Sequence, residues 1–228
     1  HGLEVLHAWG MTEMSPLGTV AVPPVEAQGE DRWAYRETQG RLAPLVQGRL
    51  IGPDGSHMPW DGESVGELEV RGPWITSAYY RASDDEERSE DKCDDGWLRT
   101  GDVGTLTADG YLRLTDRAKD VIKSGGEWIS SVELENVLMA HPKVKEASVV
   151  GVPDEKWGER PLATVVVLDG QSVTAGELRQ FLEGHVAHWQ VPERWAFIDE
   201  VPKTSVGKFD KKVLRRRFAA GELDVQTV

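Results

Sequence analysis

The chain holds a single cysteine, Cys93, so an internal disulfide is excluded and a reducing, cytoplasmic setting is expected. It has no apolar run long enough to span a bilayer and no stretch with the layout of a signal peptide. Positive charge is scarce: 26 Lys+Arg stand against 39 Asp+Glu in 228 residues, a formal net charge of −13. Gripping a nucleic acid needs a broad basic face, so that class of partner is excluded. Any anionic ligand must be caught by a local device. An initiator methionine is also missing at His1, and further chain is expected upstream.

The length fits one large domain or two modest ones. Strand signals dominate the first half. Gly66–Gly72, "GELEVRG", alternates Leu68 and Val70 with charges, and Thr105–Leu114 reads as a hairpin turning at Asp109-Gly110. Pro53-Asp54-Gly55 marks another turn. Residues 84 to 95, "DDEERSEDKCDD", read as a solvated loop, since their carboxylates lack metal-ligand spacing. After about Lys119 strands and helices alternate. Ser130-x-x-Glu133 and Thr174-x-x-Glu177 read as capping boxes, and the runs Ala147–Val152 and Ala163–Leu168 suit buried strands. The reading is α+β: a β-rich portion over 1–118, then a small α/β domain over 119–228.

Four stretches carry candidate chemistry. In "AWGMTEMSP", which follows the apolar run "LEVLHA" and is expected to end its strand, Trp9 offers a flat ring, Gly10 close backbone approach, Thr12 a hydroxyl and Glu13 a carboxylate. That set suits a nucleotide and Mg²⁺, although Trp9 also reads as plain core and Glu13 as plain surface. In "GWLRTGDVG", Asp102 could accept from two ribose hydroxyls, or simply bond its own turn. In "TDRAKDVIKSGGEWIS", Arg117 could hold ribose or phosphate oxygens, Gly125-Gly126 could open a narrow passage, and Lys119-Asp120 sit where a hinge would turn. A charged strand entering a glycine turn is the plainer reading. In "PKTSVGKFDKK", Gly207 is expected to loosen a loop that delivers Lys208 to a site. The cations from Lys211 to Arg217 read as a solvated helical face whose arginines suit the helix's negative end.

In this order the four stretches resemble the acyl-adenylate-forming ligases: acyl-CoA synthetases, peptide-synthetase adenylation domains and firefly luciferase. "AWGMTEMSPLGT", "GGEWIS" and "VPKTSVGKFDKK" look most like bacterial medium- and long-chain fatty-acid–CoA ligases. The resemblance implies a β-rich, barrel-like end of a large N-terminal domain followed by a mobile C-terminal domain. It implies ATP, Mg²⁺ and CoA as cofactors, and a fatty acid or other small carboxylic acid as partner. Thr12 would contact the α-phosphate, and Glu13 would help hold the metal. Trp9 and Gly10 would border the adenylate and acyl pocket, while Asp102 and Arg117 would grip the ribose. Lys119 would be the hinge residue. Ser124, Gly125 and Gly126 would line the pantetheine passage, and Lys208 would catalyse adenylation. The family's Ser/Thr/Gly-rich phosphate loop is absent, so the chain reads as a C-terminal fragment of a longer parent, with negligible ligase activity alone. A ligase for aryl or other acids, a peptide-synthetase domain, and a non-catalytic nucleotide- or CoA-binding module stay open as alternatives, and a homodimer is allowed for.

Overall fold

Alternation of apolar and charged residues builds the first half of the chain. A computed structural model describes residues 1–79, 92–205 and 207–228. These divide into two compact units, His1–Ala118 and Lys119–Val228. Residues 84–91 of the acidic tract lie outside the described residues.

Among the described residues, the first unit is one antiparallel sheet of nine strands. In chain order they are β1 (Ala8–Gly10), β2 (Leu17–Val20), β3 (Gly40–Leu42), β4 (Gln47–Ile51), β5 (His57–Met58), β6 (Gly66–Arg71), β7 (Cys93–Asp94), β8 (Trp97–Leu106) and β9 (Tyr111–Arg117). Helix α1 (Gly29–Arg36) intervenes between β2 and β3. The strands neighbour in the order β1-β2-β3-β9-β8-β6-β4-β5, with β7 beside β8. Trp9 of β1 nevertheless shares one core with Leu50 of β4 and Leu68 and Val70 of β6. A flat sheet would keep these strands far apart, so this one curls over, as a barrel-like subdomain does.

Three local readings meet the structure here. Gly110, at φ +85°, turns β8 into β9, and Leu68 and Val70 face inward with no exposure. Gly52 and Ser56 close the Pro53–Gly55 turn through a 2.8 Å backbone bond. Two others differ. Leu3 and Val5 of "LEVLHA" are exposed and precede any strand. Cys93–Asp94, read as loop, pair with Trp97–Leu98 because Asp95 and Gly96 both take the positive φ of a tight hairpin turn.

Among the described residues, the second unit holds a mixed sheet of six strands: β10 (Ile122–Ser124), β11 (Glu127–Ile129), β12 (Val144–Asp154), β13 (Gly158–Val167), β14 (Arg194–Phe197) and β15 (Val225–Thr227). Strand β13 is its hub, antiparallel to β10 and β12 and parallel to β14. Helices α2 (Ser131–Met139), α3 (Ala175–Glu183) and α4 (Lys211–Ala219) complete the unit. Thr174 closes a full capping box with Glu177, and the Ser130 hydroxyl accepts the Glu133 N–H at 3.1 Å. Leu134, Leu138, Leu178 and Leu182 pack with Ile122, Val149, Val165 and Trp195 into one core. Each such fully buried leucine stabilises the fold by roughly 1.5–3 kcal/mol.

Candidate functional site

In the first unit, β1 and the β8–β9 hairpin bring three of the sequence-derived residues together. Asp102 and Arg117 are cross-strand partners in the β8–β9 ladder. The Arg117 Nε lies 3.4 Å from Asp102 Oδ1, and the Trp9 indole Nε1 donates to Asp102 Oδ2 at 2.8 Å. The two carboxylate oxygens thus have different partners, one a hydrogen bond and one an ion pair, on a residue only 9% exposed. The Asp102 N–H donates to the Thr100 hydroxyl at 3.1 Å, while the carboxylate turns to Trp9 and Arg117. Trp9 has two attachments: its ring packs inside while its N–H reaches the carboxylate.

Gly10 is required by the chain itself. A Cβ there would stand 1.9 Å from the Pro16 carbonyl oxygen. That contact lets Met11–Pro16 fold back as a short 3₁₀ turn over Thr12–Met14, anchored by the fully buried Met14. Thr12 is left exposed and Glu13 half-buried. The Glu13 carbonyl accepts the Thr76 N–H at 2.8 Å, and its Oε1 accepts the Tyr79 hydroxyl at 2.7 Å. Tyr79 was not singled out in the sequence, because 66 positions separate it from its partner.

No group of three or more His, Cys, Asp or Glu able to cage a metal exists among the described residues. Glu13 still fits Mg²⁺, which characteristically takes one or two carboxylates and completes its shell with water and substrate phosphates.

In the second unit Gly125 and Gly126, at φ +62° and +90°, form the two-residue turn joining β10 to β11. Positive φ at both positions is what such a hairpin demands. Gly125 has a second reason: a Cβ would meet the Trp157 ring at 2.7 Å, and its N–H donates to the Trp157 carbonyl at 2.8 Å. Ser124 is buried and its hydroxyl accepts from Arg160 Nη1 at 3.2 Å. Arg160 also donates to the carbonyls of Trp189 and Val191. A cavity of about 600 Å³ opens beside this turn, lined by Ser124, Gly125, Trp157, Arg160, His188 and Trp189 among others. Arg160 Nε, buried in its wall, has no hydrogen-bond partner among the described residues. Arg160 and Trp157 were not singled out in the sequence: Arg160 stands between Glu159 and Pro161, ahead of the apolar run Ala163–Leu168, where an arginine reads as exposed.

Lys208 is exposed, and the described residues on either side of it are hydrogen-bonded to one another. The Thr204 N–H donates to the Lys208 carbonyl at 2.7 Å, and the Gly207 N–H to the Thr204 carbonyl at 2.9 Å. Lys203 and Phe209 close the loop as a β-bridge. Gly207, at φ +79°, takes a backbone conformation that glycine adopts without steric cost.

Both flanks of the loop are tied down. Lys203 Nζ meets Glu146 Oε1 at 2.6 Å, which raises the lysine pKa. Lys211 Nζ lies 2.8 Å from Glu135 Oε1 and 2.6 Å from the Ser131 hydroxyl. Burial pushes the Glu135 carboxyl pKa up, and Lys211 opposes that shift without cancelling it. The basic helix is thus no simple solvated face. Lys211 points inward, and Arg215 pairs with Asp120.

The antiparallel sheet with its Trp–Asp–Arg cluster is thus followed along the chain by an α/β unit that carries the Lys208 loop. Residues 1–80 match the model of the AMP-binding enzyme family, and residues 133–208 match the AMP-binding enzyme C-terminal domain. The chain belongs to the AMP-binding enzyme family. It is 46% identical over 221 residues to a 3-methylmercaptopropionyl-CoA ligase of Ruegeria lacuscaerulensis, covering 96% of this chain and 40% of that protein. It is 44% identical over 221 residues to a long-chain-fatty-acid–CoA ligase of Thermus thermophilus, with 95% and 40% covered. The solved structure of ATP-bound MatB from Rhodopseudomonas palustris superposes with a TM-score of 0.74 at 30% identity, covering 95% of this chain and 41% of that one. The chain thus spans about 40% of the length of the curated relatives it matches. Among the described residues no helix is long and apolar enough to cross a membrane.

Proposed function

We propose that the complete parent of this chain is an ATP-dependent acid–CoA ligase that activates a fatty acid as acyl-AMP and then forms acyl-CoA. The observation that carries this reading is the Trp9–Asp102–Arg117 cluster, a carboxylate with one oxygen held by the Trp9 N–H and the other in an ion pair with Arg117. Such a group is prepared to accept from vicinal ribose hydroxyls without reorganising.

In the first step the substrate carboxylate bonds to the α-phosphorus of ATP and pyrophosphate departs. Thr12 would donate to the α-phosphate, and Glu13, aimed by Tyr79, would hold Mg²⁺, which offsets phosphate charge. The Lys208 ammonium would stabilise the charge that grows on the reacting oxygens, a contribution larger in the transition state than before it. In the second step the CoA thiol attacks the acyl carbonyl, loses its proton and expels AMP. The pantetheine arm would run past Ser124–Gly126, and the cavity flanked by Trp157 and Trp189 has room for the far end of CoA. Because the Lys208 loop is braced on both sides, the lysine would be delivered by movement of the whole second unit about Lys119.

The test is Lys208→Ala in the complete parent. Pyrophosphate exchange should fall by about 10²–10³, the usual effect of removing one transition-state donor. Thioester formation from supplied acyl-AMP should be largely spared. Equal loss of both steps refutes the reading.

A further inference from the structure

The two units meet in sequence at the peptide between Ala118 and Lys119. On one side, the Ala118 N–H donates to the Gly101 carbonyl at 2.9 Å, which ties that amide plane to β8. On the other, Arg215 Nη2 of α4 donates to the Lys119 carbonyl and to Asp120 Oδ1, both at 3.1 Å. Peptide planes are rigid. Between the two tied groups there remain only φ and ψ of Ala118 and φ and ψ of Lys119.

We propose that Arg215 is a positioning residue for the two-step reaction: by pinning the Lys119–Asp120 peptide to α4, it confines the rotation to those four dihedral angles. This rests on the two-pose ligase reading given above. Arg215 lies on the helix that directly follows the Lys208 loop, so the pin links the pivot to the element that must arrive in register. The Asp120 carboxylate, 17% exposed, holds the guanidinium, 32% exposed. An isolated, solvent-accessible pair of this kind contributes little to stability, so the consequence of the contact is geometric. Without it the Lys119 carbonyl and the Asp120 φ join the joint, and the second unit samples a wider set of poses around each productive one.

The experiment uses the complete parent with Cys93→Ser and spin labels at Ser56→Cys and Asp169→Cys, both exposed and one in each unit. Distance distributions are recorded with a non-hydrolysable acyl-AMP analogue, with and without CoA. The wild-type background should give narrow maxima that shift when CoA is added. Arg215→Met should broaden both maxima and slow each half-reaction about tenfold, with KM for ATP unchanged. Asp120→Asn, which retains an acceptor oxygen, should keep the narrow widths. Arg215→Lys, which keeps the charge but not the reach, should give intermediate widths and carries the comparison if Arg215→Met fails to fold. Unshifted maxima in the wild-type background would overturn the two-pose reading itself. A normal shift with unbroadened maxima and undiminished rates in both Arg215 variants would overturn only the role of Arg215.

Discussion

The ammonium of Lys211 lies 2.8 Å from Oε1 of Glu135, with side-chain exposures of 11% and 8%. The same oxygen accepts the Val149 N–H at 2.8 Å and the Ser148 hydroxyl at 3.1 Å, so one carboxylate joins α2, α4 and β12. Removing one partner from such a pair leaves a charge buried without compensation. Lys211→Met should therefore destabilise the parent's second unit by about 3–5 kcal/mol in urea unfolding. The double variant Lys211→Met/Glu135→Leu should recover most of that loss. A double variant as unstable as the single one would show that the pair holds more than its own charges.

Trp9→Phe keeps the ring in the core but deletes the donor to Asp102. The freed carboxylate oxygen can then rotate. The KM for ATP in the parent should rise about tenfold, equivalent to about 1.4 kcal/mol of lost orientation. An unchanged KM would remove Asp102 from the nucleotide site.

Gly125→Ala forces a Cβ to within 2.7 Å of the Trp157 ring at a φ of +62°. Thioester formation should fall by about tenfold or more, since misplacement of about 1 Å can cost still more in rate. Adenylation should be untouched. Gly126→Ala meets nothing within 4 Å and carries backbone strain alone, so its effect should be smaller. The reverse ranking would contradict the packing argument.

Asp61 gives a pH signature. The backbone N–H of Ser64, with the Ser64 hydroxyl and the Glu63 N–H, holds its carboxyl at about 2, below its ordinary 3.8. A depressed folded pKa adds stability that is present above about 3.8 and is lost as pH falls through about 2. The gap in unfolding temperature between wild type and Asp61→Ala should stay constant from about pH 7 to 5 and narrow below about pH 4. A gap independent of pH would assign the effect to the turn's shape alone.

Elements written in local chemistry were legible in the sequence. The Asp109-Gly110 hairpin and the Thr174 capping box involve residues within a few positions of each other. Counting outward from that hairpin would set Asp102 opposite Asp116; a bulge between Val103 and Gly104, which no local signal announces, shifts its partner to Arg117. Distant pairings were not legible either. Glu69 looks like an outward-facing strand charge, yet it is 3% exposed and held by Arg49 and Arg99. Nothing local distinguishes the inward Lys211 from Lys212 beside it. The apolar run Leu3–Leu6 carried a strand pattern, but a pattern needs a neighbouring strand to pair with, and Leu3 and Val5 stay exposed.

The ring of Trp157 covers the Gly125 turn and also borders the adjoining cavity. That places an intrinsic chromophore where a guest would displace water from its face. The chain has nine tryptophans, but a Trp157→Phe difference spectrum would isolate this one, giving an unlabelled optical readout of cavity occupancy.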